Sequence, residues 1–544
     1  MTAARVHLNA HVEETIRDFS RPEAYPHPVR TPIEVRQTHI STVFLTGEWA
    51  YKIRKPVDFG FLDYTTIEAR RHFSLEELRL NRRLCPDMYL EVAPVFRSEG
   101  QLQLQLQPDG GPGEPVDWAV RMRQLDERRM LPTLLETGSP LGDRILDLAN
   151  LLARFHAQAR SDAETASFGR SKTLLHTLEQ CLPLPPVESD DPSEPLPSSL
   201  RREIEAVQLQ RFRSLEPVFA ARARDGWVRE GHGDLRLQNI CFDPALTPGI
   251  QVFDCVEFTA QFRCLDVASD LAYLVMDLHL AGRADLAWQL RSAYLEAGGN
   301  PGSAALFEYY HCFRACVRGK IALLAAEQQE VPEEERRAHV ALASAAFDLA
   351  GSGVRPRSQP RLLIVMGASG SGKSVVAREL ARRLPAVHLA TDVLRKELAG
   401  VSLRDRLDAS WYSPERVEQV YTHLAVQTAL WLQRGADVIA DGTYLRRKSR
   451  EELLRVAAAV DAPAAVLVCE CPDGVARARI RRRSELGTDA SDAGIQVYEN
   501  QLKTAEWPDF DERIEAGAAT VRTLRVDTDA APGVLARKLL TALG

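Results

Sequence analysis

No run of apolar residues in this 544-residue chain is long enough to span a bilayer. The first 20 residues lack the apolar core of a signal peptide. Both absences point to the cytoplasm. Nine cysteines, an odd number, are scattered along the chain. The closest pairs, Cys312/Cys316 and Cys469/Cys471, have no matching second pair at zinc spacing, so they read as reduced structural thiols. A strong charge of either sign is also missing. A net charge of −7 argues against a dedicated nucleic-acid binder, though it leaves room for a local basic patch. There is no internal repeat. With 45% hydrophobic and 26% charged residues the composition is that of an ordinary globular protein, too long for one core, so two or more domains are expected.

The strongest signal is Gly367-Ala-Ser-Gly-Ser-Gly372-Lys373-Ser374, a full G-x-x-x-x-G-K-[ST] match. The apolar run Leu362–Met366 before it reads as a buried strand, and Val375–Leu384 after it as a helix. That context lets the backbone N–H groups of Gly367, Ser369, Gly370, Ser371 and Gly372 turn toward a polyphosphate at a helix N-terminus. Lys373 then reaches the β/γ-phosphates and Ser374 ligates Mg²⁺, so ATP and Mg²⁺ are the expected cofactors. Further strands are predicted at 386–389, 438–440, 465–469 and 523–526, alternating with helices, the order of a doubly wound α/β domain with a parallel sheet. Asp392 stands at the tip of the second strand, where a small kinase orients an acceptor hydroxyl. Arg395, one helical turn on, is placed to clamp an anionic part of a substrate. Asp441 ends the next apolar strand at the Walker B position for Mg²⁺. The run Arg477–Arg483 contains Arg479 and Arg483, which share a helix face and are the candidates for neutralising charge on a transferred phosphoryl. Asp489-Ala-Ser-Asp492 then has the character of a helix cap.

Upstream, His232-Gly-Asp-Leu-Arg-Leu-Gln-Asn239 and Asp254 repeat the spacing of a protein-kinase-like site. Asp234 is the candidate for orienting the acceptor hydroxyl, and Asn239 and Asp254 are the candidates for holding the metal. Lys52, on the predicted strand Trp49–Ile53, needs a helix carboxylate, and Glu76 and Glu77 both lie on the predicted helix 67–84. Other predicted strands fall at 42–46, 90–96, 102–107 and 117–124, and from about residue 127 the pattern is mainly helical. The Pro- and acid-rich residues 182–200 read as a surface excursion.

These motifs resemble the aminoglycoside phosphotransferase family, which includes choline- and homoserine-kinase-like enzymes. Its His-Gly-Asp-x-x-x-x-Asn stands at 232–239, its metal Asp at Asp254, and its Asp-Leu-Ala segment at 270–272. The resemblance covers roughly residues 30–345 and implies a two-lobed kinase fold with ATP at the hinge near Val120–Gln124. No G-x-G-x-x-G precedes Lys52, and Gln37–Thr42, with hydroxyls in place of glycines, is the candidate phosphate loop. In the C-terminal third, Thr391-Asp392-x-x-Arg395, Asp441-Gly-Thr443 and the arginine run resemble the P-loop kinases grouped with gluconate kinase, polynucleotide 5′-kinase and zeta toxin.

The expectation is therefore an α+β two-lobed kinase-like domain at 1–350, with a small lobe at about 30–125 and a helical lobe at about 126–350. A linker at 351–360 and a P-loop kinase domain at 361–544 follow. The expected function is phosphoryl transfer from ATP to a small-molecule hydroxyl acceptor at both sites, in sequence if one product feeds the other. The alternatives are a nucleic-acid 5′-hydroxyl kinase in the C-terminal domain, for which Arg446, Arg447, Lys448 and Arg450 weigh mildly, and an ATP-sensing module attached to one active kinase. No membrane partner is expected. An aminoglycoside acceptor would need acidic walls, and residues 188–194 are the one obvious acidic stretch.

Overall fold

The computed structural model describes residues 3–60, 62–106, 113–182, 184–185, 189–191, 194–328, 331–354, 359–401, 405–486, 493–508 and 521–543. The chain opens with a helix, Ala3–Phe19, followed by an antiparallel six-stranded sheet. The strands are β1 (Glu34–Gln37), β2 (Ser41–Leu45), β3 (Trp49–Arg54), β4 (Tyr89–Ser98), β5 (Gln101–Leu104) and β6 (Asp117–Arg123), in the order β1-β2-β3-β6-β4-β5. The β3 strand is interior, so side chains on both of its faces are buried. Tyr51 and Ile53 join a cluster with Phe19, Phe44 and Val95, while Ala50 joins Val120, Met122 and Tyr89. Lys52 is held in register opposite Val43 and Val120. The helix Ile67–Asn81 crosses one face, its first turn capped by the Thr66 hydroxyl, which accepts from the Ala69 N–H at 3.1 Å.

The larger lobe gathers the helices Gly142–Gln158, Ser198–Arg224, Val267–Leu280, Ala284–Glu296, Ala304–Ala326 and Glu333–Val354 around one apolar core. Every residue of Val267–Leu280 is buried, which makes it the central helix. Two short ribbons sit on this body. One pairs β7 (Val228–Glu230) with β10 (Cys264–Asp266), and the other pairs β8 (Ile240–Phe242) with β9 (Ile250–Val252). The loops leaving β7 and β9 carry the candidate residues 232–239 and 254.

Residues 361 onward build a second sheet, fully parallel, in the order β12-β13-β11-β14-β15. Its strands are β11 (Leu362–Met366), β12 (Ala386–Ala390), β13 (Asp437–Asp441), β14 (Ala464–Glu470) and β15 (Arg522–Asp527). The central strand β11 is buried along its whole length, as a sheet covered by helices on both faces requires.

The expected linker at 351–360 starts too early. The helix Glu333–Val354 continues through its first four residues, and 355–358 lie outside the described residues. Glycines normally signal a break, but here they permit close packing: a Cβ on Gly351 would sit 2.6 Å from a Leu200 methyl. That helix also joins the two halves of the molecule. Its buried Asp348 receives Arg383, from the end of the helix Lys373–Arg383, and Arg537, whose Nε lies 2.9 Å from Oδ1. Of the acidic stretch 188–194, which lies partly outside the described residues, Asp190 and the Glu194 carbonyl are engaged within the protein. Asp190 caps the helix Ser198–Arg224 by accepting from Ser199 N–H at 2.7 Å, and the Glu194 carbonyl accepts from Arg537.

Candidate functional sites

The first site lies between the small sheet and the helical lobe. The Lys52 Nζ sits 2.9 Å from Glu77 Oε1 and 2.9 Å from Asp254 Oδ1. Glu77 is fully buried, and its second oxygen accepts from Arg54 Nη2 at 2.7 Å. Arg54 also donates to Glu257 at 2.7 Å. Glu76, one residue earlier, points outward to Arg79. The helix rotation thus separates the two carboxylates that the sequence left open. Burial pushes the Lys52 ammonium down, but Asp254 and Glu77 outweigh it and hold the ammonium above its ordinary value. Lys52 in turn keeps the Asp254 carboxyl below the usual range, against the effect of burial. Asp254 has φ +64°, a left-handed conformation that costs a non-glycine residue about 1–3 kcal/mol where the surroundings enforce it.

Asp234 lies in the loop that leaves β7, and this loop meets the one that carries Asp254 where the Asn239 carbonyl accepts from Phe253 N–H at 3.0 Å. Asp234 Oδ2 takes Arg236 Nε at 3.0 Å and Asn239 Nδ2 at 3.3 Å, and its carbonyl takes Asn239 Nδ2 at 2.9 Å. Asn239 therefore has its Oδ1 left to meet a cation. The loop's backbone is anchored from below. Asp270, fully buried on the central helix, accepts from His232 N–H at 2.7 Å and Gly233 N–H at 3.0 Å. Burial opposes its charge, but His156 and His232 and these N–H groups hold its carboxyl well below the ordinary range. His156 is fixed by the Tyr294 hydroxyl at 2.9 Å. Gly233 has φ +87°, and a Cβ there would lie 2.8 Å from the Phe262 carbonyl, so only glycine fits between His232 and Asp234. The candidate phosphate loop Gln37–Thr42 is a tight hairpin turn, with Thr38 Oγ1 accepting from Ser41 N–H at 3.0 Å. Val120, near the expected hinge, lies on β6 beside Lys52. The sequence marks Asp270 through the Asp-Leu-Ala resemblance but gives Arg236, His156 and Tyr294 no role. Position 236, two residues past Asp234, was the available signal, whereas the partners of Asp270 are far apart in sequence.

The second site is the loop between β11 and the helix Lys373–Arg383. Gly367, Gly370 and Gly372 all have positive φ. A Cβ on Gly367 would sit 2.6 Å from the Cys469 carbonyl, and one on Gly372 2.9 Å from Thr528 Oγ1 and 3.1 Å from Arg479 Nη1. Thr528 ties the loop down by donating to the Ser371 carbonyl at 2.6 Å. Ser369 N–H donates to Gln501 Oε1 at 2.8 Å. Ser374 Oγ donates to Asp441 Oδ1 at 3.2 Å, and His388 Nε2 holds the other carboxylate oxygen at 3.2 Å. Burial raises the Asp441 carboxyl, but His388, Lys373 and Ser374 outweigh it and bring it below its ordinary value. Asp392 and Arg395 are paired with each other at 2.6 Å, and Arg395 stacks 4.9 Å over the Tyr412 ring.

Of the two candidates for neutralising phosphoryl charge, Arg479 reaches the P-loop, donating to Thr528 Oγ1 at 3.0 Å, while Arg483 donates to the Ala493 carbonyl at 2.6 Å. Arg477 is tied to Asp473 and Glu499. Residues 489–492, expected to cap a helix, lie outside the described residues, and the next helix is Ile495–Thr504. The basic cluster offered for nucleic-acid binding is divided between buried and exposed residues. Arg450 is buried against the Tyr444 carbonyl at 2.7 Å, Lys448 pairs with Glu418 at 2.7 Å, and Arg447 with Glu451 at 2.8 Å.

A P-loop fold with its strand, glycine loop and Walker B carboxylate defines the class of the C-terminal third, and a family model described as AAA domain matches residues 362–508. Over the whole chain, an uncharacterized protein of Mycobacterium tuberculosis, Rv2004c, is 31% identical across 474 residues, covering 86% of this chain and 89% of that protein. An uncharacterized Mycobacterium bovis protein, Mb2027c, matches equally. The chain belongs to the same family as these uncharacterized proteins. Among solved structures, a choline/ethanolamine kinase family protein from Mesorhizobium loti covers 63% of this chain and 99% of its own, at 15% identity and TM-score 0.35. A sugar kinase from Janibacter sp. covers 34% of this chain and 94% of its own, at 21% identity and TM-score 0.25. No helix among the described residues is long and apolar enough to cross a membrane.

Proposed function

We propose that the protein is an ATP-dependent phosphotransferase with two sites, each moving the γ-phosphoryl group to a hydroxyl of a small molecule. The observation that carries the reading is the presence of two complete sets in one chain: Lys52–Glu77–Asp254 facing Asp234 and Asn239, and Lys373–Ser374–Asp441 beside Asp392. Asp234 and Asp392 orient the acceptor hydroxyl. The acceptor oxygen bonds to Pγ as the β–γ bridging bond breaks, ADP leaves, and the hydroxyl proton passes to the carboxylate. Lys52, Lys373 and Arg479 meet the phosphate charge. The left-handed glycines around 367–372 leave space that a Cβ would fill. Buried Ser371 Oγ has no hydrogen-bond partner among the described residues, which fits an oxyanion at the loop.

Magnesium suits the oxygen donors at both sites: Ser374 Oγ with Asp441 at one, Asn239 Oδ1 with Asp254 at the other. All are hard oxygens, and one or two carboxylates beside substrate phosphates are its usual protein ligands. When bound, it neutralises charge on the β/γ-phosphates.

The test makes Asp234→Asn and Lys373→Ala separately and measures ADP release over a panel of hydroxyl acceptors. Each change is expected to lower turnover of one acceptor by about 100-fold or more. The reading fails if both variants keep full activity on every acceptor the wild type uses.

A further inference from the structure

The helix Ala304–Ala326 carries Arg314 and Arg318 one turn apart on the same face, while Cys312 and Cys316 on the other side enter the core. Arg314 lies 4.7 Å over the Tyr273 ring and donates to Ser269 Oγ at 3.2 Å. Arg318 Nε stands 3.7 Å from Asp277 Oδ1, too far for a hydrogen bond, and is buried without a hydrogen-bond partner among the described residues. Asp277 is already engaged, since its other oxygen accepts from Leu237 N–H at 3.0 Å, inside the Asp234 loop. Arg236, on Asp234, completes the cluster. The buried Tyr273 hydroxyl feels Asp234, Arg236, Arg318 and Arg314 together. Three guanidiniums, those of Arg236, Arg314 and Arg318, thus gather beside Asp234 and Asp277, next to the candidate phosphoryl-transfer centre. Burial also lifts the Asp277 carboxyl above its ordinary range.

The Arg318 guanidinium is ion-paired with Asp277 but its buried Nε makes no hydrogen bond among the described residues, and a guanidinium's planar fork matches carboxylate and phosphate oxygens. We infer that the acceptor handled at Asp234 is an anionic hydroxyl compound, whose carboxylate or phosphate is held by Arg318 and Arg314 while its hydroxyl faces Asp234. The inference rests on the kinase reading of residues 1–350 and names its substrate class. A polycationic aminosugar would meet repulsion here. In the transfer, the hydroxyl oxygen bonds to Pγ of ATP, ADP departs, and the proton goes to Asp234. The anionic group is bound and not consumed.

The experiment uses the full chain carrying Lys373→Ala, so that the P-loop site is silent. Inorganic phosphate is titrated calorimetrically with a non-hydrolysable ATP analogue and Mg²⁺ saturating. Arg318→Gln is expected to weaken phosphate binding at least tenfold, Arg318→Lys to restore part of it, and Arg314→Gln to act in the same direction. Circular dichroism melting checks that each variant is folded. Equal phosphate binding in parent and folded Arg318→Gln, or no phosphate binding at all, overturns the inference. In parallel, ADP release is followed with glycerol, glycerol 3-phosphate, glycerate and kanamycin. The anionic members are expected to show KM at least tenfold below that of glycerol. Arg318→Gln should raise that KM with kcat retained, and the better of the two anions separates phosphate from carboxylate. Asp234-dependent turnover that prefers kanamycin or glycerol refutes the assignment. Arg318-dependent phosphate binding without any Asp234-dependent ADP release would sink the kinase reading and leave the anion site standing.

Discussion

Glu77 and Glu76 are adjacent, identical side chains in opposite environments, so replacing each by Gln tests the first site directly. The Glu77 carboxylate takes Lys52 at 2.9 Å and Arg54 at 2.7 Å, and neither cation is more than 13% exposed. Removing one partner of a buried pair costs about 3–5 kcal/mol. Here each cation keeps a second carboxylate: Lys52 keeps Asp254 at 2.9 Å, and Arg54 keeps Glu257 at 2.7 Å. The expected loss for E77Q is therefore at the lower end, about 3 kcal/mol. Glu76 pairs with Arg79, which is 47% exposed and also bound to Glu230. Its removal is expected to cost about 1 kcal/mol or less. Urea unfolding followed by circular dichroism measures both, and ADP release in the Lys373→Ala background reads the effect on Lys52. If E76Q destabilises as much as E77Q, or E77Q stays within about 0.5 kcal/mol of wild type, the role given to burial is wrong.

Three further outcomes are expected. Gly233→Ala places a Cβ 2.8 Å from the Phe262 carbonyl at φ +87°, so it should destabilise by about 1–3 kcal/mol and remove Asp234-dependent ADP release. Asp348→Ala leaves Arg383 and Arg537 without their shared carboxylate at the seam. It should lower stability by about 3–5 kcal/mol and split the calorimetric melt into two transitions. Glu230 is pulled down to about 2 because Arg79 and Arg263 outweigh the effect of burial. A carboxyl depressed in the folded state stabilises above its unfolded pKa of about 4.3 and loses that contribution as pH falls toward the folded value. Between about pH 4.3 and 2, urea midpoints of wild type should therefore fall faster than those of Glu230→Gln.

Local features were legible because local rules govern them. A glycine-lysine-serine loop between an apolar strand and a helix needs no distant partner to be recognised, and β11 and the helix Lys373–Arg383 lie where the pattern predicts. Strand alternation placed Lys52 on β3, and the spacing from Asp234 to Asn239 and Asp254 follows from one loop and one ribbon. The linker was misjudged because composition reports glycine content, and only the packing of Leu200 against Gly351 shows why a helix continues there.

The remainder is set by side chains that meet only after folding. Helix rotation decides that Glu77 and not Glu76 faces Lys52. His388 on β12 reaches Asp441 across a parallel pair, and Arg450 turns inward to the Tyr444 carbonyl, removing charge from what reads as a basic patch. The cluster of Arg236, Arg314 and Arg318 joins a loop and a helix about 80 residues apart, and spacing rules reach only a few residues along a chain. The sequence alone determined which elements form and which residue types each carries, since periodicity, glycine and capping act within a turn or a strand. Tertiary structure alone decided which charges are paired, buried or left facing the site. Coulomb interaction and desolvation depend on distance and burial in space, and neither is written in sequence order.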